Sequence, residues 1–500
     1  MIRRMLTALA LLATTIPAQA ADCGKTNIRQ VDQLLACVKR DDLWRHLSVF
    51  QSIANANPGP LGHGNRDTGT PGYKASVAYV AKLMHDAGYH VTIQSYDWEK
   101  HTLKAKPIFS SGATLFQPGQ DYFVARLSPS GHVDARLQPA TGAGTGCTAA
   151  DFAAFTPGHI ALLARGGCDP DDQVAAAQAA GAAAVVLYNS PGKPGQPGKL
   201  SKDDGTAYQA LLTNDPTIPV IGMASNAAGA ALAHQYAAGA SPRAIIDVQA
   251  EKKSATDYNL IADSPYGDPN SIIVLEGHLD AIYGAGMLDN ASGSTTILDI
   301  ALNLANTQTR NQMRYIWFGG EELGLLGSHY YTRHLSHNEL KRLAFDIDAD
   351  VTATPNFVVD TADPKFAPNA RKFPPHVVPD SRIGNQLFNQ YFHQVGIPVR
   401  SYHAGNDGTD SNSFALVGVP NTGILTQQDC CKSEWQVKLW GGFRGNYEGK
   451  IPSFNGGCVD QPHRWCDNLS NNDPFVLEFA SKAVAYVTYT LANRDFSGHR

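Results

Sequence analysis

A chain of 500 residues is too long for one ordinary hydrophobic core and reads as two or three domains. Its formal charge is −5, with 43% hydrophobic and 17% charged residues, the balance of a soluble globular protein. A mildly acidic surface without runs of Lys and Arg argues against a nucleic-acid partner.

Residues 1–20 stand apart. Arg3 and Arg4 precede an apolar run from Met5 to Ile16, and Ala18-Gln19-Ala20 supplies the small-x-small pattern of a signal-peptidase site. This is the pattern of a secretory signal peptide cut before Ala21, which implies a secreted or periplasmic protein. The run is shorter than the roughly 20 residues that span a bilayer, and no later segment is long and apolar enough, so no membrane insertion is expected. Loss of Arg3 and Arg4 moves the formal charge from −5 to −7. All eight cysteines lie beyond this segment, and an even count in an exported chain favours disulfides over thiolate zinc ligands. Closeness in sequence pairs Cys23 with Cys37, Cys147 with Cys168 and Cys458 with Cys466. Cys430 and Cys431 are left without an assigned partner.

From residue 21 to about 60 the chain reads as a helical lead-in. A turn at Gly69-Thr70-Pro71-Gly72-Tyr73 opens an amphipathic helix from Ser76 to Ala87, with Val77, Tyr79, Val80 and Leu83 on one side. Gly88-Tyr89 ends it, and His90-Val91-Thr92-Ile93 alternates as a strand. Between about 130 and 250 alanine and glycine dominate. His159–Leu163 reads as a strand, Arg165-Gly166-Gly167-Cys168 as a turn, Asp171–Ala180 as a helix and Ala184–Tyr188 as a second strand. A Pro/Gly loop from Pro191 to Gly198 and a short strand at Ile218-Pro219-Val220-Ile221 follow. Beyond 256, strands at 272–276 and 313–318 alternate with helices Ser292–Ala305 and Ser328–Leu335. Leu343–Val351 reads as a further strand, and the helix Pro474–Leu491 closes the chain. The expected fold is α/β, a mixed, largely parallel sheet flanked by helices and carrying a small inserted β/α domain. The expected division is 1–20 signal peptide, 21–130 and 251–500 the main domain, and 131–250 the insertion.

The chemistry-bearing residues cluster at strand ends. Ile272-Ile273-Val274-Leu275 leads into His278-Leu279-Asp280, Asp289-Asn290 follows, and Tyr315-Ile316-Trp317-Phe318 leads through Gly319-Gly320 into Glu321-Glu322. Imidazole and carboxylates gathered at the edge of a parallel sheet suit a divalent metal site. Two metal ions sharing a carboxylate sit about 3.5–4 Å apart and clamp both water and substrate carbonyl. Adjacent Glu321 and Glu322 divide the work, one binding metal and the other moving protons. Asp346, Asp348 and Asp350 alternate along one strand, so periodicity alone does not choose among them. No Gly-x-Ser-x-Gly elbow or His-Glu-x-x-His helix occurs, which removes two other hydrolase designs.

His278-x-Asp280, Asp289-Asn290, the run Glu321 to Ser328, the late turn Gly408-Thr409-Asp410 and His463-Arg464-Trp465-Cys466-Asp467 occur in the order found in the co-catalytic zinc aminopeptidases, peptidase family M28, which the chain resembles. The segment with Arg165-Gly166-Gly167-Cys168, Ala179–Ala183 and Ile218-Pro219-Val220 resembles the protease-associated (PA) domain. The first resemblance implies two zinc ions per chain and peptide substrates. His278, Asp289 and Asp350 would hold one zinc, Asp289 bridging to a second completed by Glu322 and His463. Glu321 would be the general base. Asp280 would accept a hydrogen bond from His278 and fix its tautomer. A cis peptide at Asp289–Asn290 is also implied. Pro462 and Gly408 stand where several members have tyrosine and arginine. Rival readings are a single-zinc glutaminyl cyclase, a carboxypeptidase and a non-catalytic binding protein of the same fold. Oligomeric state is not legible.

Overall fold

The computed structural model describes residues 23–497 apart from 60–61, 119–120, 143, 189–209, 211, 213, 224–225, 241, 283, 368, 403–407, 429–431, 446 and 448–466. The signal-peptide segment, His463, Cys430, Cys431, Cys458 and Cys466 therefore lie outside the described residues. Among the described residues, Cys23–Cys37 and Cys147–Cys168 form two of the three disulfides expected from spacing, the third, Cys458–Cys466, lying outside them. No helix among the described residues is long and apolar enough to cross a membrane.

The central sheet has eight strands in the order His90–Leu103, Ala250–Asp263, Asn311–Phe318, Asp268–His278, Leu343–Ala349, Asn421–Leu425, Asp360–Ala362 and Arg400–Tyr402. The four strands from Asn311–Phe318 to Asn421–Leu425 are parallel to one another. Antiparallel partners flank them on both sides. Ile272–Leu275 and Tyr315–Phe318 are buried at every position, which is why they read as unbroken apolar runs. Successive residues still serve opposite faces. Ile273, Leu275, Tyr315 and Trp317 join the larger core with helices Arg40–Ala56, Ser292–Leu304 and Pro474–Ala492, whereas Ile272, Val274, Ile316 and Phe318 join a smaller one with Tyr331 and Phe414.

Local chemistry sets the helix starts. Thr70 accepts a hydrogen bond from Tyr73 N at the head of Pro71–Asp86, and Asp473 accepts from Phe475 N and Val476 N at the head of Pro474–Ala492. Both helices begin with proline, whose missing N–H costs nothing in the first turn. Helix Ser292–Leu304 is buried along nearly its whole length and starts with small residues. A side chain at Gly293 would come within 1.9 Å of Ala349 O, so this close approach of helix to strand end needs glycine.

A second eight-stranded sheet builds the insertion, in the order Thr114–Phe116, Ile108–Ser111, Arg243–Val248, Gly131–Pro139, Ile160–Ala164, Ala184–Tyr188, Val220–Met223 and Tyr122–Val124. Three of these strands precede residue 131, where the composition changes. Ile108–Ser111 joins through pairing with Arg243–Val248, a contact across more than a hundred residues that composition does not register. The two sheets are linked by a 14-residue antiparallel ribbon, His90↔Asp263 through Leu103↔Ala250, so the first strand runs well past Ile93.

One buried acid in the main core yields a pH prediction. Asp299 is 3% exposed, and its Oδ2 accepts from Asn303 Nδ2 at 3.0 Å. Burial, reinforced by Asp42 and only partly offset by Arg45 and Asn303, pushes it up to about 8. Between about pH 4 and pH 8 the folded chain therefore keeps a proton that the unfolded chain has released, and stability falls as pH rises through that window. Asp299→Asn should raise the melting temperature by a few degrees at pH 8 and leave it unchanged near pH 4. Equal melting temperatures for both proteins at pH 8 would refute the retained proton.

Candidate metal centre

The C-terminal ends of the parallel strands bring the candidate residues to one edge. His278 ends the strand Asp268–His278, Asp350 follows Leu343–Ala349, and Glu321 and Glu322 form a single 3-10 turn after Asn311–Phe318. Gly320 enters that turn at φ 69°, a conformation glycine adopts without penalty. His278 Nε2 is 3.0 Å from Asp289 Oδ1, 3.6 Å from Asp350 Oδ1 and 3.9 Å from Glu321 Oε2. Among the described residues, His278, Asp289 and Asp350 each place one ligand atom within 4.8 Å of the others. Of the three alternating aspartates only Asp350 joins this group. Asp346 and Asp348 lie deeper, at 0% and 2% exposure, behind the strand end. The Asp289–Asn290 peptide is cis. His463 lies outside the described residues.

Electrostatics favour a cation here. His278 is 1% exposed, and burial alone would lower its pKa. Glu321, Asp280, Asp289 and Asp350 overcome that and hold it well above the ordinary imidazole value. Burial and neighbouring acids likewise raise Glu321 and Asp350 above the carboxylate range. Asp350 Oδ1 is buried and accepts no hydrogen bond within the described protein. An orphaned carboxylate oxygen beside an imidazole and a second carboxylate is a donor set that fits zinc, which takes nitrogen and oxygen ligands.

The sequence profile of peptidase family M28 matches residues 259–488, and that of the PA domain matches 133–232. An aminopeptidase of Pseudomonas aeruginosa is 31% identical over 469 residues, covering 91% of this chain and 81% of that protein. The chain belongs to peptidase family M28. Among solved structures, the aminopeptidase from Aneurinibacillus sp. strain AM-1 superposes with TM-score 0.69 at 22% identity, covering 93% of this chain and 97% of that one. A zinc aminopeptidase from Bacillus subtilis gives 0.64 at 21% identity, covering 92% and 97%. At such identities these structures speak for the fold, which is that of the M28 zinc aminopeptidases with an inserted PA domain.

Several residues of this M28 peptidase hold the site without being legible as ligands. Asp280 lies against both the histidine and the glutamate turn. His278 Nδ1 lies 3.2 Å from the Asp280 carbonyl oxygen and 3.5 Å from its Oδ1, so the closer partner is main chain. The Asp280 carboxylate accepts from Thr68 Oγ1 at 2.7 Å and faces the backbone N–H groups of Glu321 and Glu322 at 3.3 and 3.4 Å. One buried acid thus ties the histidine strand to the glutamate turn. Asp467 accepts from Leu288 N at 2.7 Å and Asp289 N at 3.0 Å, fixing the approach to Asp289. Asn290 donates to Ala349 O and accepts from Gly293 N and Val351 N, which links the Asp289 loop to the Asp350 strand end. Asp467 closes the last motif and was visible as part of it. Thr68 sits in an unremarked turn and carried no signal.

Proposed function

We propose that the chain is an exported two-zinc aminopeptidase that removes N-terminal residues from peptides. The observation that carries this reading is the convergence of His278, Asp289 and Asp350 at the strand ends of an M28 peptidase, within 4.8 Å of one another. The activity in the names of its relatives supports the substrate class. His278, Asp289 and Asp350 would hold one zinc, and Asp289, Glu322 and His463 the other. When bound, zinc polarises the scissile carbonyl and lowers the pKa of the attacking water.

The protein's own part is proton handling and orientation. Glu321, half-buried and held above the ordinary carboxylate range by desolvation, is a stronger base than an exposed glutamate. It removes a proton from water as the oxygen attacks the carbonyl carbon, then delivers it to the leaving amine nitrogen as the C–N bond breaks. Asp280 holds the Glu321–Glu322 turn in register by facing both backbone N–H groups. Export follows from the leader-like segment and agrees with the two disulfides.

Two measurements test the reading together. Metal analysis of the purified mature chain should give two equivalents of zinc, and a chelator should abolish hydrolysis of amino-acid anilides, with zinc restoring it. Peptides blocked at the amino end should resist and those blocked at the carboxyl end should be cut. One equivalent with cyclisation of N-terminal glutamine would favour the cyclase instead, and cleavage from the carboxyl end would favour a carboxypeptidase. Inactivity after zinc reloading would favour the binding protein.

A further inference from the structure

The inserted domain touches the turn that carries Glu321 and Glu322. Arg126 Nη1 donates to the carbonyl oxygen of Leu323, the last residue of that turn. The turn projects from the strand ends, with Glu321, Glu322 and Leu323 half-buried and Gly324 exposed. Within it, Gly324 N and Leu325 N donate to Glu321 O at 2.8 and 2.9 Å, and Leu326 N donates to Gly320 O at 2.9 Å. Asp280 faces the N–H groups of Glu321 and Glu322, so it holds the start of the turn. Arg126 holds the end. A guanidinium on a backbone carbonyl is a charge-assisted bond, stronger than its neutral counterparts.

The donor is itself fixed. Arg126 lies in a tight loop that follows the strand Tyr122–Val124 of the second sheet. Ala125 N donates to Val220 O at 2.9 Å, Arg126 N donates to Ala210 O at 3.0 Å, and Ser128 Oγ accepts from Val220 N at 2.9 Å. Leu127 joins the core of the insertion with Leu163 and Val185. Its φ is 67°, in the left-handed region that leucine rarely enters. Among the described residues, the non-glycine residues with positive φ are Leu127, Leu325, Val351 and Gln427. Leu325 closes the glutamate turn, and Val351 follows Asp350. Strain of this kind persists where the surroundings over-determine the backbone, and it gathers at working sites. Leu127 lies outside the peptidase core, and its neighbour Arg126 is what joins it to that site.

We propose that Arg126 is a positioning residue of the peptidase, through which the inserted domain sets the Glu321–Glu322 turn. The proposal rests on the aminopeptidase reading and gives the insertion a part in catalysis. The insertion is linked to the central sheet by the ribbon of His90–Leu103 and Ala250–Asp263. Domains so joined move relative to each other unless a contact restrains them. The bond to Leu323 O is such a contact, one residue beyond Glu322. Without it the turn keeps its inner bonds and Asp280 but loses its outer support. Displacing a catalytic group by about 1 Å costs about a hundredfold in rate.

The test compares the zinc-loaded mature chain with Arg126→Met and Arg126→Lys, on an amino-acid anilide and a tripeptide. Arg126→Met should lower kcat about ten- to hundredfold on both substrates, with KM changed by less than about twofold. Melting temperature and zinc content should match the wild type. Hydrogen exchange at the amides of Gly324 and Leu325 should quicken by about tenfold, while the amides of the ribbon keep their rates. Lysine should recover part of both losses, since its ammonium still donates to a carbonyl. Wild-type kcat in Arg126→Met would overturn the proposal, as would a lowered kcat without faster exchange in the turn. A raised KM confined to the tripeptide would also overturn it, by making Arg126 a substrate contact. An inactive wild type would overturn the aminopeptidase reading along with it, whereas an active enzyme indifferent to the substitution overturns the positioning role alone.

Discussion

Glu321→Gln is expected to lower kcat by about 10²–10⁴-fold while the zinc content of the protein stays the same. Glutamine matches glutamate in shape and cannot take up a proton at neutral pH, so the substitution isolates the chemistry. The turn should survive it, because Asp280 faces the backbone N–H groups of Glu321 and Glu322 and not their side chains. Three neighbouring carboxylates are already committed. Asp289 and Asp350 belong to the ligand group, and Asp280 is engaged by Thr68. The measurement is steady-state hydrolysis of an amino-acid anilide beside metal analysis of the same preparation. Wild-type turnover in the variant would remove Glu321 from proton transfer. Loss of a zinc equivalent would move it among the ligands.

The parallel centre of the fold was legible because its strands are buried on both faces and read as apolar runs between glycines, as in Ile272–Leu275 and Tyr315–Phe318. Helix Pro474–Ala492 begins at the proline that marks it in the sequence, whereas Gly69–Tyr73, which reads as a turn, holds the cap and first turn of Pro71–Asp86. The ribbon from His90 to Leu103 was only partly legible, since beyond Ile93 its alternation dissolves into charged residues whose order comes from pairing with Ala250–Asp263. Periodicity does not separate Asp350 from Asp346 and Asp348, because all three share a face; the family resemblance selects it, and in the structure only Asp350 stands clear of the strand end. The supporting shell was hidden for a related reason. Arg66 and Thr68 act on loops more than two hundred residues away, and no local pattern records such a bond.

Arg66→Met should cost about 3–5 kcal/mol and unfold or severely destabilise the protein. Arg66 is 0% exposed, and its guanidinium donates to Leu279 O, Ala285 O and Gly286 O at 2.7 to 2.8 Å. These carbonyls bracket the loop that runs from His278 to Asp289. Burial lowers the guanidinium pKa to about 10, with Asp467, Asp280 and Asp67 opposing that fall, so it stays charged at neutral pH. Methionine fills much of the volume and keeps an apolar contact with the Phe50 ring, over which the guanidinium sits at 5.1 Å. It takes their side-chain donor from Leu279 O and Ala285 O, leaves Gly286 O with Ala291 N alone, and leaves Asp280 and Asp467 without their nearby cation. Removing one partner of a buried ionic network is costly because the desolvated remainder stays behind. Lysine should restore only part of the stability, since one ammonium cannot match a planar fork set against three carbonyls. Denaturant unfolding of the zinc-loaded protein and its two variants reads this directly. A methionine variant within about 1 kcal/mol of wild type would mean that the loop holds its shape without the clamp.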